Sequence, residues 1–301
     1  MPSVAFAKED QKVWVGGCVI GIELNVDGIA VVGEKEGCKL IVGDVIKSVD
    51  NVPVNSVIEL KNALKTDKEE IVVKVLREGK LMEITCPLSL KKGVKTLGVL
   101  VREDIRGVGT LTFTRPDKRF VALGHQVSSG KCKTPTQIVG GNVCSALVLG
   151  VNKGERNKAG ELKAVFVEGE IKGEVFENKR TGIYGKCDGI YKSQIYPELV
   201  EVATIDQIKV GKATILSCVD GKKVEEYEIE IVSKNYQQKS EEKGLVVKIT
   251  DQRLIDKVGG IVQGMSGSPI MQDGKLVGAI THVFLNDSTR GFGIFAQNLL
   301  K

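Results

Sequence analysis

The sequence predicts a mostly β chain in two parts, a small unit with a sheet and a helix followed by a pair of antiparallel β-barrels. Three observations predict it. Its 301 residues exceed one ordinary domain and suit two. Thirty-five glycines beside only 8 Phe, 5 Tyr and 1 Trp indicate many turns and strands rather than long helices. Beyond about residue 97, short apolar runs alternate with turn signals, the pattern of a barrel or sandwich.

Composition excludes several classes of function. A hydrophobic fraction of 42% with a mean hydropathy of -0.01 can bury a real core. The net charge of +5 is spread out, with no basic run interleaved with aromatics, so no nucleic-acid partner is expected. No stretch approaches the roughly 20 apolar residues of a membrane-spanning helix. Seven widely spaced cysteines without a Cys-x-x-Cys pair argue against a disulfide framework or structural zinc. With only His125 and His282 in the chain, neither metal nor other cofactor is expected. Ala5-Phe6-Ala7 before Lys8 has the small-x-small look of a signal-peptide cleavage site, though no apolar core precedes it. Residues 1–11 are read as an N-terminal remnant, a trimmed leader or an unstructured start.

Residues 12–90 read as one unit. Val13 to Leu24 is apolar and broken by glycines, and Gly28 to Gly33 is a short buried strand. Gly43-Asp-Val-Ile46 leads into another strand and a turn at Asp50-Asn51. Ser56-x-x-Glu59 is a capping box, with Val57, Leu60 and Leu64 on one helix face behind it. Ile71–Leu76 and Lys80–Thr85 flank Arg77-Glu-Gly79 as a hairpin. This order resembles a PDZ domain, a β-sandwich or partly open barrel with one or two helices. The resemblance implies that Ile20, Gly21 and Ile22 form the carboxylate-binding segment, receiving a peptide C-terminus or internal segment as an added strand. Lys91 to Thr96 is polar and basic and reads as a linker to a second domain over 97–301.

That domain opens with Leu111–Thr114 and Phe120–Leu123, joined by Arg115-Pro-Asp-Lys118. Ala213–Val219 and Val224–Val232 flank Asp220-Gly221, and Ile270–Gln272 and Leu276–Ile280 flank Asp273-Gly274. Asp-Gly between apolar runs is a strong hairpin signal.

Gly264-Met-Ser-Gly-Ser-Pro269 carries the chemistry. It resembles the nucleophile turn of chymotrypsin-like proteases, with Ser266 as nucleophile and the N–H groups of Gly264 and Ser266 as oxyanion hole. Phe120-Val-Ala-Leu-Gly-His125 is an apolar strand ending in the candidate general base. His282, 16 residues after Ser266, is assigned to a specificity pocket or core. Five aspartates, 188, 206, 220, 251 and 256, lie between His125 and Ser266; Asp220 serves its turn, and spacing does not choose among the rest.

A closer resemblance chooses. Phe120–His125, Val247-Lys-Ile-Thr-Asp251, Gly259–Pro269 and Gly278–Phe284, continuing through Asn286-Asp287 to Thr289–Gly293, are similar to the stage IV sporulation protein B serine peptidase family. That family joins a PDZ domain to a chymotrypsin-like double β-barrel. The match implies a triad of His125, Asp251 and Ser266, although Asp251 precedes Ser266 by only 15 residues; Asp206 and Asp188 stay in reserve. It further implies a peptidase secreted across the inner forespore membrane into the intermembrane space. Such an enzyme cleaves itself and a membrane-associated regulator of an intramembrane protease, which activates a late mother-cell sigma factor. The family's N-terminal targeting segment is missing from this sequence, and Gln126–Lys133 lacks the acidic residues expected after the histidine. The rival expectations are a catalytically inactive scaffold and a cysteine hydrolase; against the second, no cysteine occupies a comparable turn.

Overall fold

The computed structural model describes residues 12–34, 39–128, 135–155, 157–167, 171–235 and 242–300. The remnant read over residues 1–11 lies outside them, as do residues 129–133 of the stretch after His125. The chain opens with β1 (Lys12–Val15) and the long β2 (Val19–Glu34). Then follow β3 (Val45–Val49), β4 (Val52–Pro53), α1 (Val57–Ala63), β5 (Glu70–Arg77) and β6 (Lys80–Pro87). A hairpin of β7 (Ser89–Lys91) and β8 (Val94–Thr96) precedes β9 (Val99–Thr114) and β10 (Arg119–Ala122). Next are β11 (Ile138–Asn152), β12 (Glu161–Phe166), β13 (Lys172–Lys179), β14 (Gly182–Cys187) and β15 (Val200–Glu201). The last stretch holds β16 (Gly211–Ser217), β17 (Glu225–Lys234), β18 (Leu245–Ile249) and α2 (Gln252–Val258). It ends with β19 (Pro269–Gln272), β20 (Lys275–Phe284), β21 (Asp287–Phe295) and α3 (Ala296–Leu299). Among the described residues no helix is long and apolar enough to cross a membrane.

The described residues fall into two compact units, one within 1–22, 107–126 and 142–301, the other within 23–106 and 127–141. The smaller contains the predicted hairpins and helix. Positive φ at Asp50 and Asn51 turns β3 into β4, and positive φ at Glu78 and Gly79 turns β5 into β6, as tight hairpins require. Ser56 caps α1 by accepting the Glu59 N–H at 3.1 Å, while Glu59 reaches one residue past the expected box to the Asn55 N–H at 2.7 Å. Leu60 and Leu64 pack on Ile29, Ile46, Val73 and Val75. Asp44 is fully buried; Arg77 grips it with Nε and Nη2, each at 2.7 Å, and the Ile41 N–H adds a third bond. A buried carboxylate requires such pairing, which explains an acid in the Gly43-Asp44 turn.

In the larger unit, β16-β17-β18-β21-β20-β19 form a closed barrel. Tyr227, Ile229 and Ile231 alternate inward along β17, with Glu228 and Glu230 between them, the period of two that a half-buried strand needs. The order β9-β10-β14-β13-β11-β2 returns to β9 and closes a second ring of six. The Arg115–Lys118, Asp220-Gly221 and Asp273-Gly274 connections join the strand pairs expected of them.

The units are bounded differently from the expected 12–90 and 97–301. β1 pairs with β9 (Trp14 opposite Thr114) and with β15, and so belongs to the barrel unit. Val13 and Val15 are fully buried beside Phe113, Val121 and Met271, and burial of such side chains contributes about 1.5–3 kcal/mol each. Ile20, Gly21 and Ile22 lie in that unit too. Both isoleucines are buried, and a Cβ at Gly21 would stand 2.5 Å from the Phe166 ring. This glycine makes room for an aromatic ring. Residues 91–96, read as a linker, lie largely within the β7–β8 hairpin.

Candidate active site

The Ser266 turn is clamped from two sides. On β9, the fully buried Thr110 donates its N–H to Ser266 O at 2.9 Å and its hydroxyl to Gly264 O at 2.8 Å. Two residues on, Thr112 donates its hydroxyl to Gly267 O at 2.9 Å. On β20, Ile280 O accepts the Gly267 N–H and Ile280 N–H bonds Ser268 O. Gly264 and Gly267 sit at φ of 98° and 95°, where a side chain would be strained. Among the described residues, neither the Gly264 nor the Ser266 N–H makes a hydrogen bond, so the two donors expected of an oxyanion hole are uncommitted. Ser266 is half-buried, and its hydroxyl donates to Thr281 O at 2.8 Å.

His125 reaches this region by a backbone kink. After β10, Leu123 and Gly124 adopt φ of 73° and 69°, with Leu123 N–H on Thr110 O. A positive φ costs a leucine on the order of 1–2 kcal/mol. A Cβ on Gly124 would lie 3.1 Å from the Thr281 side chain, so the kink passes directly against β20. The His125 Nδ1 lies 2.8 Å from Gln126 O. With Nδ1–H donated there, the neutral ring carries its lone pair on Nε2, the tautomer a general base uses. Burial pushes the His125 pKa below 6.5, only partly offset by that carbonyl. Activity should therefore fall with acid through a midpoint below 6.5, a limb that a pH–rate profile would locate; a midpoint at or above 6.5 would contradict a buried base.

Asp251 makes no hydrogen bond to His125. It is the N-cap of α2: Oδ1 accepts the Arg253 N–H at 2.9 Å and Oδ2 the Glu228 N–H at 3.2 Å. The Arg253 guanidinium takes both oxygens, at 3.1 and 2.7 Å. That side-chain bond is the main reason its pKa lies below 3.8. Asp188 accepts from Tyr191, and among the described residues no carboxylate hydrogen-bonds His125. Asp251→Ala is expected to cost about 1–2 kcal/mol, the loss of a cap. The sign follows from a depressed carboxyl pKa: the contribution is present above pH 3.8 and fades as pH falls through the lower folded value. The thermal melts of the two proteins should draw closer as the pH is taken below 3.8; a gap that does not narrow there would contradict it.

His282, expected in a specificity pocket or the core, lies on β20. Its ring lies 4.8 Å from that of His125, and its neighbour Thr281 holds the Ser266 hydroxyl. Burial, then the charges of His125 and Lys243, push its pKa down to about 4. Cys18 and Cys187 are pushed up to about 12 by burial, and Cys218 is raised as well, so these thiols stay protonated and unreactive. No group of side chains suited to a metal occurs among the described residues.

Two closed six-stranded barrels, with a serine on a glycine turn and a histidine just past a strand end, match the double β-barrel expected from the sequence. Residues 93–300 match the SpoIVB peptidase S55 family; the chain belongs to it and is a serine peptidase. Two solved structures of Rv3671c, a protease from M. tuberculosis, are similar at 14% identity. The inactive form of a serine-to-alanine mutant aligns over 64% of this chain and 78% of that one, with a TM-score of 0.34. The active form aligns over 65% and 71%, with a TM-score of 0.35. A search of curated proteins gives no match.

Proposed function

We propose that this peptidase uses Ser266 as nucleophile and His125 as general base, cleaving itself and a regulator of an intramembrane protease during sporulation. The observation that carries the catalytic assignment is the pair of uncommitted N–H groups at Gly264 and Ser266, on the turn that also presents the Ser266 hydroxyl. The hydroxyl turns from Thr281 O toward His125 Nε2, which takes its proton as Oγ attacks the peptide carbonyl. The two N–H groups receive the oxyanion, and His125 returns the proton to the leaving amine. Water, activated by the same base, then releases the acyl group.

The sporulation role and the secreted location are supported by membership of the family alone. The smaller unit, with its β2-β3-β5-β6 sheet and α1, is assigned as the PDZ-type module that presents protein substrates. Intact-mass analysis over time, beside Ser266→Ala, tests self-cleavage: fragments should appear only with Ser266. A chain that stays whole, and does not cut added Ser266→Ala protein, would favour the inactive scaffold.

A further inference from the structure

A base in an acyl-transfer site must be held against rotation as well as supplied with a lone pair, and Asp251 does not hold this one. The Gln126 carbonyl fixes the His125 tautomer through one 2.8 Å bond at Nδ1, so the direction of the ring must come from the side chains packed on it. The ring of His282 packs beside it. The two rings lie 4.8 Å apart between centroids and are tilted by 40°. Offset and tilted packing at this distance is attractive and directional. His282 is itself fixed by β20, whose preceding residue Thr281 accepts the Ser266 hydroxyl and donates its own to Glu242 O at 2.9 Å.

One further feature needs an explanation. His282 Nδ1 is buried with no hydrogen-bond partner, and Nε2 stands 3.8 Å from Glu242 Oε2, beyond hydrogen-bond reach. An unsatisfied buried polar atom costs about 1–3 kcal/mol, and here that atom belongs to a side chain that is itself 40% exposed. Here the imidazole packs on a second imidazole, its ring tilted by 40°.

We propose that His282 is a positioning residue for His125, its ring packing on the base and fixing the direction of Nε2 toward Ser266. The inference rests on the assignment of Ser266 and His125 made above. Among the described residues, the charged and titratable groups facing His282 are His125, Glu242 and Lys243. With its pKa pulled to about 4, His282 is uncharged at neutral pH and does not repel the imidazolium formed on His125 during the reaction.

The test is the rate of Ser266 labelling by a fluorophosphonate, measured from pH 5 to 9, with thermal melting beside it. Four proteins are compared: the wild type, His282→Ala, His282→Phe and His282→Gln. Loss of the ring should slow labelling by about tenfold to a hundredfold in the Ala and Gln variants, the scale of a misplaced catalytic group. It should also raise the pH midpoint toward 6.5 as water reaches the base. His282→Phe restores a ring and should recover labelling to within about threefold of the wild type at neutral pH. The proposal is overturned if the Ala and Gln variants label at the wild-type rate with an unmoved midpoint. It is equally overturned if a folded Phe variant is as slow as they are. A His282→Ala protein that does not fold leaves the Gln and Phe pair to decide. A wild type that never labels overturns the Ser266 assignment itself, a result distinct from any difference among the variants.

Discussion

Replacing Ser266 with alanine should lower peptide hydrolysis by several orders of magnitude, about 10⁴–10⁶, while leaving the fold intact. The rate term follows from removing the nucleophile of a unit that acts together, so little of the catalytic power remains for the other members to express. The stability term follows from the structure. Ser266 is half-buried, and its side chain makes one hydrogen bond, to Thr281 O. Such a bond contributes about 0.5–1.5 kcal/mol, so melting should move by only a few degrees. Steady-state rates on a denatured protein substrate, with calorimetry of the same samples, check both halves. A variant that still turns over at a tenth of the wild-type rate would remove Ser266 from the mechanism.

Gly267→Ala should be the most damaging single methyl group in the site. A Cβ there would lie 2.2 Å from Thr110 O and 2.6 Å from Leu123 N, both backbone atoms, and φ is already 95°. Neither obstacle is a flexible side-chain tip, so relief means moving β9 or the kink that carries His125. The expected cost is about 3 kcal/mol or more, with activity lost alongside. Gly274→Ala is the matched control. It shares a positive φ of 74° but meets nothing within 4 Å, so it should cost only about 1–2 kcal/mol. Denaturant midpoints of the two variants should differ clearly. Equal midpoints would mean that the clamp is slack.

Much of this was legible because the signals are local. Ser56 and Glu59 announce α1 within one turn, and Asp273-Gly274 encodes its hairpin in two residues. The Ser266 turn and the strand ending in His125 are likewise contiguous. One local signal went unread: Asp251 before Leu254 and Val258, closed by Gly259 at φ of 81°, is a complete capped helix. An aspartate whose oxygens cap a helix is committed and does not serve as the acid. What the sequence could not reveal is long-range. Thr110 and Thr112 hold the nucleophile turn across 154 and 155 residues. β1 leaves the unit it begins because its partner, β9, arrives about a hundred residues later. The approach of His282 to His125 depends on the same closure, so spacing assigned it no more than a pocket.

The central claim is that Ser266 is a nucleophile activated by His125. Reacting the purified protein with a fluorophosphonate, and mapping the adduct by peptide mass spectrometry beside His125→Ala, tests it most directly. The account predicts a single adduct on Ser266 in the wild type, formed about 10³-fold or more slowly in His125→Ala. An adduct on another residue, or equal labelling of Ser266 in the two proteins, would contradict it.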